Sequence, residues 1–247
     1  ACRRDGRFAG MVGAHASFTL GVDSLGALAE LADQHDVGVH IHCAEDQADV
    51  DDCRERNGKG LVDHLCHAKI LRPGTLLVHC THLTADEVAA AYGLGCWTAH
   101  NPRSNMNNAV GFAPTQAMVR GRGLLGTDGI DGDMWSESRA AFLRARDSGT
   151  GPGIGECLGL LAGSARFAGA CLGVPLGRLV PGAAADLLIL DYPQATPVTT
   201  DNLLGHWFFG FHAGHVRSLM VGGRWVVHDR RIVAGGVEGD IGRAREV

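Results

Sequence analysis

Five short apolar runs, each closed by a polar residue and followed by a helical pattern, organise the first two thirds of this chain. They are Met11-Val12-Gly13-Ala14-His15, Val37-Gly38-Val39-His40-Ile41-His42, Leu76-Leu77-Val78-His79, Cys96-Trp97-Thr98-Ala99-His100 and Leu124-Leu125-Gly126-Thr127-Asp128. Such alternation predicts βα units around a parallel sheet, hence an α/β fold. Asp23 or Ser24 is the expected cap of a helix running through Leu25, Leu28 and Leu31. A polar helical stretch follows the second run, and another helix is expected around Leu61 to Ala68. Thr84-Ala85-Asp86-Glu87 has the spacing of a capping box, in which Thr84 and Glu87 satisfy free backbone N–H groups. Further helices are expected from about Pro114 and about Ser136.

Two architectures accommodate five βα units. A doubly wound sheet gathers its ligands at one switch point, usually beside a glycine-rich phosphate loop. No GxGxxG or GxxxxGK[ST] follows any of these runs. A (β/α)8 barrel instead assembles its site from the C-terminal ends of different strands. His15, His42, His79, His100 and Asp128 occupy those ends, so a barrel is the expectation, with three strands unaccounted for.

The pattern changes after about Gly173. Ala185 to Asp191 reads as a strand, Val180-Pro181-Gly182 as a turn, and Val216 to Val227 as a hairpin turning at Gly222-Gly223. The expected domains are therefore residues 1–173, part of a barrel, and residues 174–247, a small β-structure.

With 247 residues the chain can bury a sizeable core. Its formal net charge of −5 gives no footprint for a nucleic-acid partner. No apolar run approaches the roughly 18 residues of a membrane span, so no membrane partner is expected. The eight cysteines show no CxxC spacing. They read as reduced thiols in a cytoplasmic protein. The opening Ala1-Cys2-Arg3-Arg4, without a methionine, reads as the start of a fragment.

The 13 histidines are the informative excess. His40 and His42, two apart on a strand, share a face. Taken alone, they suit a zinc site or a core histidine with a hydrogen-bonded neighbour. Glu45, just past the strand, is placed to relay protons. His79 ends its strand at the same level, whereas His82 is expected at the entrance of the next helix and outside the site. In His100-Asn101-Pro102-Arg103-Ser104-Asn105-Met106-Asn107-Asn108, the amides serve either turn chemistry or a polar ligand. Asp128, flanked by Gly126 and Gly129, suits a metal ligand or proton acceptor, or else a helix cap. Asp131, Asp133 and Glu137 read as solvated. The ordered set of histidines and carboxylates points to metal-assisted hydrolysis, in which a divalent ion brings the pKa of its water toward about 7.

The chain resembles the amidohydrolase superfamily, in its deaminase and chlorohydrolase branch and especially its SsnA-type aminohydrolases. The resemblance rests on GAHASFTL (Gly13 to Leu20), HIHCAED (His40 to Asp46), VHCTHL (Val78 to Leu83), HNPRSNMNNAVGFAP (His100 to Pro114) and GTDG (Gly126 to Gly129). A TDG…DM stretch from Thr127 to Met134 and the segment from Leu179 to Asp186 extend it across the chain. It implies that the five runs are strands four to eight of a metal-dependent hydrolase barrel. The tail would then be part of a composite β-sandwich domain.

By the same resemblance His42 is a metal ligand and Glu45 the proton shuttle. His79 polarises the attacking water or the adduct, and Asp128 ligates metal and acts as general base. His15, His100, Asn101, Ser104 and Asn105 contact a small-molecule substrate. One divalent metal ion is implied, zinc with iron as the alternative, and a homodimer is implied for the full-length protein. The implied activity is hydrolysis of a non-peptide C–N bond, deaminating an amino-substituted heterocycle. Dechlorination or ring opening at the same site is the alternative, and a non-catalytic barrel fragment is the alternative of another class. The family's first-strand HxH is missing; His40-Ile41-His42 belongs to the fifth strand. The chain as it stands is therefore expected to bind metal weakly or be inactive.

Overall fold

The computed structural model describes residues 8–149 and 151–233. The chain divides into two units, Ala1–Gly173 and Val174–Val247. Cys2 and the opening residues lie outside the described set, as does the end of the second unit.

The first unit carries five strands: β1 (Val12–Gly13), β2 (Val39–Cys43), β3 (Leu76–His79), β4 (Trp97–His100) and β5 (Gly123–Leu125). All pair in parallel, in the order β1-β2-β3-β4-β5. Strand order equal to chain order, without reversal, is an arc of a barrel and has no switch point. Every residue of β3, β4 and β5 is buried. This explains why their sequences are runs and not alternations.

The sheet separates two apolar clusters. Val39, Ile41, Cys43, Leu77 and Leu125 join the main core with residues such as Leu25, Leu61, Leu65 and Val88. Leu76, Val78, Trp97, Ala99 and Leu124 form a second cluster with Met11 and Phe167. Register pairs His40 with Leu76 and His42 with Val78, so both histidines share the face of the second cluster.

The helices of this unit are α1 (Val22–His35), α2 (Gln47–Asn57), α3 (Leu61–His67), α4 (Ala85–Gly93), α5 (Pro102–Asn107), α6 (Thr115–Met118), α7 (Met134–Asp147) and α8 (Ile154–Leu172). The Thr84–Glu87 capping box forms in full. At α1 the cap position is Gly21, with no side-chain bond, and Asp23 sits in the first turn instead of capping. There its carboxylate favours the positive end of the helix dipole. The expected helix from Pro114 is only the single turn of α6. The preceding polar loop contains an unexpected helix, α5, with Pro102 in its first turn. Proline there removes an N–H that a helix start leaves unpaired anyway. The apolar helix α8 is likewise absent from the sequence expectations. It packs so closely on β5 that a Cβ at Gly163 would lie 2.0 Å from the Gly123 carbonyl oxygen.

In the second unit, β6 (Leu187–Leu190), β7 (Val216–Val221), β8 (Arg224–His228) and β9 (Arg231–Ile232) form an antiparallel sheet in chain order. Gly222 and Gly223 turn the expected hairpin with φ of 54° and 76°, the paired positive values that a tight two-residue loop requires. A short helix, α9 (Leu203–Phe209), precedes β7. No helix among the described residues is long and apolar enough to cross a membrane. The seven described cysteines are free thiols.

Candidate active site

The polar strand ends converge at one end of the parallel sheet. His42 reaches it by simple alternation from β2. His79 does not: its register partner is Cys43, on the helix-facing side. Left-handed backbone at His79 (φ 71°) and Cys80 (φ 53°) breaks the alternation. The His79 ring thereby lies 5.4 Å, centroid to centroid, from that of His42. Ala44 (φ 49°) and Asp128 (φ 52°) are left-handed as well. This conformation costs a non-glycine residue about 1 kcal/mol or more and is concentrated at functional sites. Four such residues sit at the C-terminal ends of three strands.

His79 is the centre of the group. Its Nε2 lies 3.5 Å from Glu45 Oε2 and 3.9 Å from Asp128 Oδ2. Its Nδ1–H donates to Asn105 Oδ1 at 2.8 Å. Asn108 Nδ2 donates to Glu45 Oε1 at 3.2 Å, and Ser104 Oγ donates to Asp128 Oδ2 at 2.6 Å. The His15 ring meets that of His42 edge-on at 5.2 Å, and its Nδ1 is 3.1 Å from Thr19 Oγ1.

Electrostatics favour one protonation state in each of two groups. Burial, then the neighbouring His79, holds the His42 imidazole below its ordinary pKa, so the ring stays neutral. The Ser104 hydroxyl, with His79 beside it, holds the Asp128 carboxyl below the usual carboxylate range. Neutral imidazole and ionised carboxylate are the ligating forms of each group.

Both are donor types that zinc accepts. Among the described residues, however, no group of three or more His, Cys, Asp or Glu side chains is arranged to hold a metal ion. The residues fit one side of a divalent ion in kind; they do not close a shell around it.

Four of the expected substrate contacts lie inside the protein: His100, Asn101, Ser104 and Asn105 are all buried. Ser104 and Asn105 are turned onto Asp128 and His79. The Asn101 amide, oriented to donate, reaches the carbonyls of Gly126 (3.1 Å) and His100 (3.2 Å), tying the ends of β4 and β5 together. A Cβ at Gly126 would lie 2.5 Å from that amide, so a side chain there would displace it. His100 is 2% exposed, and neither ring nitrogen has a hydrogen-bond partner among the described residues. His15 is the exposed member of the set. His82, expected outside the site, binds the Val110 carbonyl through Nε2 at 2.6 Å.

Three carboxylates acquire structural roles. Glu137, expected to be solvated, is 0% exposed and binds the Arg103 backbone N–H and Nε. Asp49, within the polar helix after β2, is 1% exposed and accepts from Ser17 Oγ (2.8 Å) and the Ala44 N–H (2.7 Å). It ties the segment following His15 to the turn before Glu45. Asp133 caps α7 through the N–H groups of Trp135 and Ser136, which leaves Asp128 free of the capping role.

Parallel strands in chain order, with a histidine–carboxylate group at their C-terminal ends, define an arc of a (β/α)8 hydrolase barrel. The chain belongs to the amidohydrolase family, whose model matches residues 2–226. A 5-methylthioadenosine/S-adenosylhomocysteine deaminase from Syntrophomonas wolfei is 30% identical over 98% of this chain and 58% of its own length. A 5'-deoxyadenosine deaminase from Methanosarcina mazei is 31% identical over 92% of this chain and 54% of its own. The crystal structure of an adenosine deaminase from Xanthomonas campestris with bound zinc matches at a TM-score of 0.83 and 25% identity. That match covers 95% of this chain and 55% of the other. The chain thus spans little more than half the length of these relatives.

Proposed function

We propose that this chain carries the acid–base half of a metal-dependent aminohydrolase, which deaminates an amino-substituted heterocycle. The observation that carries the proposal is the approach of both Glu45 and Asp128 to one ring nitrogen of His79, next to His42. In this reading, water adds to the ring carbon bearing the amino group. Asp128 accepts the proton of that water. Glu45 delivers a proton to the adjacent ring nitrogen, and His79 hydrogen-bonds the adduct's oxygen. Asp128 then passes its proton to the amino group, the C–N bond breaks to release ammonia, and the adduct's hydroxyl proton returns to Glu45, leaving a carbonyl. His15, exposed beside His42, would contact the substrate, and the segment from His100 to Asn108 would hold Asp128 and His79 in place. A divalent ion, zinc or alternatively iron, held in part by His42 and Asp128 would supply Lewis acidity toward the attacking water.

The names of the relatives make 6-aminopurine nucleosides the first substrates to try. Ammonia release should be measured on adenosine, 5'-deoxyadenosine, S-adenosylhomocysteine, cytosine, guanine and aminotriazines. Chloride release from a chlorotriazine should be followed in parallel. In a zinc-loaded protein containing this sequence, D128N and E45Q should each lower turnover by about 10²-fold or more, as loss of a general acid or base does. Chloride release without ammonia release, or full turnover in both variants, would overturn the reading. Because the described residues do not close a metal shell, the 247-residue chain alone should take up zinc weakly. Stoichiometric tight zinc in a calorimetric titration would contradict that part.

A further inference from the structure

We propose that Arg103 and Glu137 are positioning residues for the acid–base group: their ion pair orients α5 so that Ser104 stays on Asp128 and Asn105 stays on His79. The inference rests on the reading of His79 and Asp128 given above. Three consecutive residues of α5 point in three directions, as the 100° step of a helix requires. Ser104 goes to Asp128 and Asn105 to His79. Arg103 goes backwards, to Glu137 of α7 through Nε at 2.5 Å and to Asp131 Oδ1 through Nη2 at 2.9 Å.

Glu137 does two things at once. Oε2 takes the guanidinium, and Oε1 accepts from the Arg103 backbone N–H at 3.1 Å. The second bond supplies a helix cap from another element, because Asn101 makes no side-chain cap to α5. A six-residue helix has little stability of its own. Its orientation is therefore set by what grips its first turn, and that grip is a fully buried carboxylate. The Arg103 fork also reaches the Asp131 carbonyl, at 3.2 Å. One side chain thereby links α5, the start of α7 and the loop that leaves Asp128.

The test uses the 247-residue chain and a readout independent of turnover: the His79 Nδ1 proton that Asn105 accepts, followed by ¹⁵N-edited NMR. The double variant R103M/E137Q removes both charges together, so no buried charge is left unpaired. It also keeps an amide oxygen to accept the backbone N–H at residue 103. Its thermal midpoint and core methyl signals should stay near those of the parent. The His79 proton should exchange with water at least tenfold faster, or vanish. A folded double variant with unchanged exchange would overturn the proposal. Should the double variant fail to fold, E137Q decides. It removes the Arg103–Glu137 ion pair while Arg103 keeps its partner Asp131, so no buried charge is left unpaired. Faster exchange at an unchanged thermal midpoint supports the positioning role; unchanged exchange overturns it. Failure of every deaminase assay would leave this result untouched, so the two readings fail separately.

Discussion

Ser104 Oγ donates to Asp128 Oδ2 at 2.6 Å. This contact is the largest influence holding the Asp128 carboxyl below its ordinary pKa. S104A should raise the midpoint of the Asp128 carboxyl in a ¹³C NMR titration. Because the folded pKa is depressed, the contribution of Asp128 to stability is present above its unfolded pKa and lost as pH falls through the folded one. S104A should narrow that acidic window. An unmoved midpoint would show that His79, not the hydroxyl, sets the ionisation.

His100 presents the opposite case. Burial, with His79 nearby, pushes its imidazole down to about 3, against about 6.5 in an unfolded chain. Between those values the unfolded state binds the extra proton. Acidification should then cost up to about 1.4 kcal/mol per pH unit. H100L removes the titrating group from a site where neither ring nitrogen has a partner among the described residues. Urea unfolding at pH 7, 6 and 5 should show a flatter decline for H100L than for the parent.

Asp49 ties two elements together from inside the protein. Replacing it with alanine leaves the Ser17 hydroxyl and the Ala44 N–H without their acceptor. The expected loss is about 2–6 kcal/mol at pH 7, taking about 1–3 kcal/mol for each buried group left unsatisfied. D49N should behave differently with pH. Burial raises the Asp49 pKa despite its hydrogen bonds. Its stabilising contribution is therefore complete below the unfolded carboxyl pKa and declines as pH rises through the folded value. The stability gap between D49N and the parent should shrink from pH 4 to pH 7. A gap that widens would show that the hydrogen bonds outweigh burial.

G163A tests the packing of α8. The added methyl would meet the Gly123 carbonyl at 2.0 Å and the Leu124 Cα at 3.3 Å. Since both contacts are backbone, α8 must shift off β5. A loss of about 1–3 kcal/mol is expected from such overpacking, read as a lower urea midpoint. G159A, on the same helix but with open space around its Cβ, should be neutral or slightly stabilising.

Local chemistry is legible in the residues themselves. The five strands stand within a few residues of their apolar runs; β3, β4 and β5, buried on both faces of a parallel sheet, leave an unbroken apolar signature. The Thr84–Glu87 box and the Gly222-Gly223 turn form as expected, because each depends on neighbours within four residues. The motifs also suffice to place the chain in its family. What the pattern conceals is long-range or breaks periodicity. The helix α5 lies in a stretch rich in Asn and Pro, residues that usually signal turns, and its cap comes from Glu137, 34 positions away. Glu137 and Asp49 look like surface carboxylates until tertiary contacts bury them. The direction of His79 follows from a left-handed backbone that no residue type near it predicts. Sequence determined which side chains stand at the strand ends, since that depends on hydrophobic period alone. Only the tertiary structure decided which of them meet, because meeting depends on backbone turns and buried partners from distant segments.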